Sequence, residues 1–212
     1  MKSYSLDQIL KQMREHERIP TSARRDSIRA KCVESFSEIK LDVFRTRIGW
    51  IGLAWTSRGI LWLLLPRGSR AEVLQELQRE FTDGVFTSAP ADLTKELIEY
   101  AEGKRREFDM PLDWSLVKPF QRAVLTMALK IPFGETRTYG WIARAIGKPR
   151  AARAVGRALA TNPIPLILPC HRVVGSDGGL TGYGGGLPLK RKLLEMEALL
   201  ARSTSRMSES HA

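Results

Sequence analysis

The chain has 212 residues, 43% apolar and 27% charged, with a formal net charge of +11. These values exclude a disordered chain and allow one large domain or two small ones around a sizeable core. The longest apolar runs are about half a dozen residues and the N-terminus is polar, which argues against a membrane span, a membrane partner or a signal peptide.

Residues 1–40 read as a helical extension. Leu6, Ile9, Leu10 and Met13 fall at helical spacing, Ile19-Pro20-Thr21-Ser22 interrupts, and a second short helix is expected from Ala23 to Phe36. From Leu41 the period changes to that of strands. Asp42–Arg47, Trp50–Trp55 and Ile60–Leu65 are predicted strands, with a hairpin turn at Thr56-Ser57-Arg58-Gly59. Pro66 ends the third. A helix follows from Ser69 to Phe81, opened by a Ser69–Glu72 capping box and carrying Val73, Leu74, Leu77 and Phe81 on one face. Another runs from Ala91 to Glu102 and stops at Gly103. Residues 41–115 thus form a small α/β unit with no evident catalytic cluster.

Residues 116–202 read as mainly helical. Pro119 starts a helix to about Lys130, and Ile131-Pro132-Phe133-Gly134 is a turn. Helices from Tyr139 to Ile146 and from Pro149 to Ala160, broken at Gly147, outline a helix-turn-helix. The apolar run Ile164–Leu168 reads as a buried strand leading into Pro169-Cys170-His171-Arg172. A last helix, Pro188 to about Arg202, places Leu189, Leu193, Met196 and Leu200 on one stripe, and residues 203–212 are expected to be a disordered tail.

Charge is uneven. From Leu116 to Glu197 there are 13 Lys/Arg against 4 Asp/Glu, a net +9. Such a surface attracts polyanions, nucleic acid first among them. Residues 151–160, AARAVGRALA, sharpen this. Alanine makes good helix in any setting, but Gly156 in its middle costs about 1 kcal/mol relative to Ala, which suggests close approach. A helix can lie against the narrow minor groove only if its side chains are small. Ala151, Ala152, Ala154 and Gly156 permit that, and Arg153 is the long side chain able to fill a gap in a base stack.

The two cysteines, Cys32 and Cys170, and the three histidines are scattered. They form neither a disulfide framework nor a zinc pattern, and free thiols suit a reducing compartment, hence a cytoplasmic location. A lone Cys is often a small buried hydrophobe. Against that, His171 and Arg172 follow Cys170 at once, and cationic neighbours favour thiolate. In an extended segment His171 points away from Cys170, so a bridging water or a bend at the strand end is needed. The imidazole also needs an orienting acceptor, and Glu195 and Glu197 are both available. Residues 177–186, DGGLTGYGGG, suit a flexible loop and are no P-loop; Tyr183 in it suits the wall of a pocket for a flat base.

PCHRVVG at 169–175, together with the stretch from Phe120 to Leu199 in register, resembles the O6-alkylguanine-DNA alkyltransferases, also called methylated-DNA–protein-cysteine methyltransferases. The first half is similar in outline to that family's ribonuclease-H-like α/β domain, and the second to its winged-helix-like DNA-binding domain. The resemblance implies that Cys170 accepts the alkyl group, that His171 takes the thiol proton through a water, and that Glu197 rather than Glu195 orients His171. It implies that Asn162 ties the recognition helix to the active-site strand, and that Tyr139 rotates the target phosphodiester and contacts the flipped base. Arg153 corresponds to the finger inserted into the duplex, and Tyr183 to a pocket wall. Gly184 stands where some members carry a Ser that contacts O6, so that contact falls to backbone amides, Gly184 and Gly185 among them. The zinc-binding residues of some members and the Cys-rich regulatory domain of the adaptive-response proteins are absent. The non-reactive branch of the family usually has Trp where this chain has Cys170.

The implied activity is direct-reversal repair of double-stranded DNA. An alkyl group moves irreversibly from O6 of guanine, or O4 of thymine, to Cys170, by a monomer without cofactor or metal. The rival expectations are a non-reactive binder of alkylated DNA and a cysteine hydrolase that ignores DNA.

Overall fold

The computed structural model describes residues 38–209, with side chains to residue 203. The helices expected within residues 1–37 lie outside the described residues. The three predicted strands are present as β1 (Lys40–Thr46), β2 (Gly49–Thr56) and β3 (Gly59–Arg67), an antiparallel meander. The turn at 56–59 closes with Thr56 opposite Gly59. Gly59 has φ +123°, and a Cβ there would fall 2.2 Å from the Pro111 carbonyl oxygen, so only glycine fits.

Helix α1 (Arg70–Glu80) is N-capped by Ser69, whose hydroxyl accepts from the Glu72 N–H. After it comes a strand the sequence did not announce, β4 (Val85–Phe86), parallel to β1. Two residues show no alternation to read. The sheet order is β3-β2-β1-β4. Helix α2 (Ala91–Ala101) then buries Leu93, Leu97 and Tyr100.

The two sheet faces have different partners. Val73 and Leu77 of α1, with its C-cap Phe81, pack on Leu41, Val43, Ala54, Leu61 and Leu64. The alternate residues Ile51, Leu53, Trp55, Ile60, Leu63 and Leu65 join a larger core with Leu97, Tyr100, Val124, Ile142, Val155 and Leu193. Period-two alternation thus feeds two cores, and the second runs continuously into the helical half.

In that half, α3 (Pro119–Leu129) begins with Pro at its first turn. Strand β5 (Arg137–Thr138) leads into α4 (Tyr139–Ala145), whose N-cap Thr138 accepts from Trp141 N–H. Gly147, at φ +71°, turns the chain. Helix α5 (Ala152–Ala160) starts three residues later than Pro149, because Lys148–Ala151 forms a separate turn closed by Ala151 N–H to Lys148 O. The helix–turn–helix outline is present.

Two expectations are corrected. Ile164–Leu168 is buried but is not a strand. Pro163, Pro165 and Pro169 donate no ladder hydrogen bonds, Leu166 sits at φ +72°, and Leu168 N–H turns back to Ile164 O. Its apolarity reflects burial from all sides rather than a place in a sheet. Pairing resumes only at β6 (Val173–Val174), parallel to β5. The last helix, α6 (Gly186–Glu209), also runs beyond Arg202 into the expected disordered tail. No Gly or Pro lies between Ala201 and Glu209 to stop it, and Ser203 bonds back to the Leu200 carbonyl within the helix.

Candidate active site

Cys170, His171 and Arg172 form one 3₁₀ turn after Pro169. This is the bend that the extended reading lacked. At three residues per turn, successive side chains diverge by about 120°. Cys170 keeps 8% of its surface exposed, whereas His171 keeps none.

His171 Nε2 lies 2.9 Å from Oε1 of Glu197 on α6, and the carboxylate is fully buried. Of the two glutamates left open by the sequence, Glu197 is the one that meets the imidazole. It accepts five hydrogen bonds. Arg172 grips it with two, Nε to Oε2 at 2.9 Å and Nη2 to Oε1 at 3.0 Å. The Gly134 N–H and the Tyr100 hydroxyl complete the set. Burial alone would raise the Glu197 pKa, but the bonds and charges of His171 and Arg172 outweigh it and hold it at about 2. Glu197 is therefore ionised, so Nε2 of His171 carries the proton. Nδ1 is buried, has no hydrogen-bond partner among the described residues, and presents a lone pair.

Cys170 Sγ accepts a hydrogen bond from Asn162 Nδ2 at 3.2 Å. The same amide donates to Leu168 O, and Asn162 Oδ1 accepts from Ile164 N–H. Asn162 thus ties the end of α5 to the thiol-bearing segment. The expectation that the cationic neighbours of Cys170 favour its thiolate is corrected for Arg172. Arg172 is committed to Glu197 and the Ile131 carbonyl. Burial raises the thiol pKa, offset only in part by the Asn162 bond and the Lys190 charge. His171 is pushed the other way, toward neutrality, by burial, with Glu197 opposing.

Tyr183 stands edge-on to His171, ring centroids 6.4 Å apart, and its hydroxyl is buried without a partner. Gly184 is exposed and Gly185 half-buried beside it; a Cβ at Gly185 would fall 2.5 Å from Leu189 Cδ2. Tyr139, at the start of α4, shares a 2.7 Å hydrogen bond with Thr181 of the glycine loop. A Cβ on Gly156 would meet the Tyr139 ring at 3.7 Å, an ordinary van der Waals contact, so the Tyr139 side of α5 does not itself require a glycine there.

On α5, Val155, Ala158 and Leu159 are buried, while Arg153, Ala154 and Arg157 face outward and Ala151 and Ala152 are half-buried. Arg144, Lys148 and Arg150 are exposed on the same two-helix unit, with a shallow hollow lined by Lys148, Pro149, Arg150 and Ala151. This basic surface and the thiol are separate features, joined through Asn162 and Tyr139.

Three contributors escaped the sequence reading. Tyr100 lies within the helix expected from Ala91 to Glu102 and was given no role. Lys190 is 1% exposed and donates to the carbonyls of Val173 and Thr181, holding β6 against the glycine loop. Gln121 binds the last carbonyls of α5, at Ala158 and Thr161. A polar group in a buried stripe signals a partner, but nothing local names it. Among the described residues no group of three or more His, Cys, Asp and Glu is placed to hold a metal ion, and no helix is long and apolar enough to cross a membrane.

Residues 119–199 match the family model described as 6-O-methylguanine DNA methyltransferase, DNA binding domain. A methylated-DNA–protein-cysteine methyltransferase of Mycobacterium tuberculosis is 52% identical over 114 residues, 54% of this chain and 66% of that relative, just under two thirds of its length. The inducible methylated-DNA–protein-cysteine methyltransferase of Bacillus subtilis is 44% identical over 166 residues, 75% of this chain and 88% of the relative. Among solved structures, Mycobacterium tuberculosis OGT in complex with DNA superposes with a TM-score of 0.62 at 40% identity, covering 76% of this chain and 94% of that one. The O6-methylguanine-DNA methyltransferase of Pyrococcus kodakaraensis gives 0.57 at 30% identity, over 75% and 98%.

Proposed function

The chain belongs to the methylated-DNA–protein-cysteine methyltransferase family, and from that membership and the site geometry we propose that it repairs alkylated DNA by moving the alkyl group onto Cys170. The observation that carries this is the arrangement of a neutral, buried thiol, an imidazole whose Nδ1 has no hydrogen-bond partner among the described residues, and an ionised carboxylate behind it.

The basic face of α4 and α5 holds duplex DNA by its phosphates. Small residues Ala151, Ala152, Ala154 and Gly156 let α5 approach the minor groove, and Arg153 occupies the place of an everted base. The target guanine must leave the stack because its O6 is inside it. Tyr139 stabilises the everted nucleotide, Tyr183 walls the pocket, and the amides of Gly184 and Gly185 face the base.

At the thiol, the proton passes to His171 Nδ1 through a bridging water, since the turn forms no direct bond between them. Glu197 stabilises the imidazolium that results. Cys170 Sγ attacks the alkyl carbon, the C–O6 bond breaks, and its electron pair stays on the purine. Hydrogen bonds from Tyr139 and the loop meet that charge, and the purine regains a proton. The thioether has no hydrolytic route, so one molecule repairs one lesion as a monomer, without cofactor. O4-alkylthymine offers the same leaving chemistry.

We read residues 41–115 as ribonuclease-H-like, supported by the three-strand meander with β4 parallel to β1. Residues 116–202 read as winged-helix-like, supported by the two-helix unit flanked by the β5–β6 pair.

The test is Cys170→Ala. The variant should bind alkylated duplex as the parent does and transfer nothing. Methyl transfer to the variant would overturn the assignment, and an unmodified thiol in the parent would favour a non-reactive binder instead.

A further inference from the structure

We propose that Tyr100, on α2 in the first half of the chain, is a positioning residue for the relay: by sharing Glu197 Oε1 with His171 it sets how readily the imidazole takes up a proton. This rests on the alkyl-transfer reading above. The Tyr100 side chain is fully buried, and its hydroxyl donates to Glu197 Oε1 at 2.7 Å and lies 3.4 Å from His171 Nε2. Phe108 and Phe133 fix the ring, at centroid distances of 5.2 Å and 6.3 Å. The matched DNA-binding region begins at residue 119, so this contact comes from outside it.

Oε1 receives three donors: the Tyr100 hydroxyl, His171 Nε2–H and Arg172 Nη2. A carboxylate oxygen that serves several donors binds each less strongly. The bond from Nε2–H to Oε1 is what favours imidazolium here. Around His171 stand Glu197 and Lys190 from α6, Arg172 next in the chain, Tyr183 and Cys170 from the site, and Tyr100 from α2. Of the charged groups only Glu197 favours the protonated ring; burial, Arg172 and Lys190 oppose it. Tyr100 itself stays a neutral donor, because burial and the Glu197 charge push its ionisation far up. Without its hydroxyl, Glu197 would hold the imidazolium more strongly. His171 would then be protonated, and unable to accept from the thiol, at pH values where it now works.

The test is Tyr100→Phe in the full chain. Two quantities are measured: the pH dependence of single-turnover transfer from O6-benzylguanine, and the imidazole titration of His171 by nitrogen NMR without substrate. Both acidic midpoints should move to higher pH by about one unit. Midpoints that stay put or fall, even with a uniform loss of rate, would make Tyr100 a packing residue only and overturn the proposal. Tyr100→3-fluorotyrosine keeps the shape and strengthens the donor, so it should move the midpoints down. Should Tyr100→Phe fail to fold, an unmoved midpoint in the fluorinated protein overturns the proposal by itself. If the parent protein transfers nothing, the functional reading fails, while the His171 titration still decides Tyr100.

Discussion

Asn162 and Cys170 are joined by a 3.2 Å hydrogen bond from the amide to the sulfur, and the same amide nitrogen holds the Leu168 carbonyl. The bond matters because burial raises the thiol pKa and Asn162 is the foremost group that lowers it. Asn162→Ala should raise the thiol pKa further and slow transfer by about tenfold, the worth of one hydrogen bond to a forming charge. Alkylation of Cys170 by iodoacetamide as a function of pH reads the thiol directly. An unchanged profile would leave Asn162 a backbone tie only.

Glu197 gives the fold a pH dependence of known sign. Its folded pKa of about 2 lies below the ordinary 4.5. A depressed carboxylate stabilises the fold above the unfolded pKa, and that stability drains away as pH falls from about 4.5 toward 2, by roughly 3 kcal/mol in all. Glu197→Gln should flatten denaturant-unfolding stability across that window. At neutral pH it should cost about 3–5 kcal/mol, because Arg172 is left buried without its counter-charge. Parent and variant curves that run parallel from pH 5 to 2 would contradict this.

Arg153 is exposed on α5. Arg153→Ala should slow repair of alkylated duplex while leaving transfer from free O6-benzylguanine near the parent rate. Equal losses on both substrates would remove the finger role. The double change Arg144→Ala, Lys148→Ala should reduce the salt slope of duplex binding by up to about two, as measured by fluorescence anisotropy across a salt series.

Tyr183 carries a buried hydroxyl with no partner among the described residues. Tyr183→Phe should therefore leave stability unchanged or slightly raised, since an unsatisfied polar atom is removed. Tyr183→Ala should weaken O6-benzylguanine transfer by losing the ring. A large stability loss in the Phe variant would reveal a bond to that hydroxyl.

Periodicity carried the regular elements. The three strands alternate, Ser69 and Glu72 mark a cap, and Gly147 breaks the helix pair where the turn lies. It misled at Ile164–Leu168, because apolarity reports burial and not conformation, and three prolines already argued against a ladder. At the site, Cys170 and His171 were legible as adjacent chemistry, but their relation was not: the 3₁₀ turn, not a strand, sends the thiol toward Asn162 and the imidazole toward Glu197. Arg172 was misread for a similar reason. Its position beside the thiol suggested an electrostatic neighbour, whereas the turn directs it to Glu197. Tyr100 was illegible because its partner lies 97 residues away, and only the tertiary fold brings them together.

The most direct test is the mass of the Cys170 peptide after the protein meets duplex DNA bearing a single O6-methylguanine. The account predicts one added methyl on Cys170, none on Cys32, a DNA product with plain guanine, and no second turnover. An unaltered Cys170 beside repaired or unrepaired DNA, or a thiol regenerated for further cycles, would contradict it.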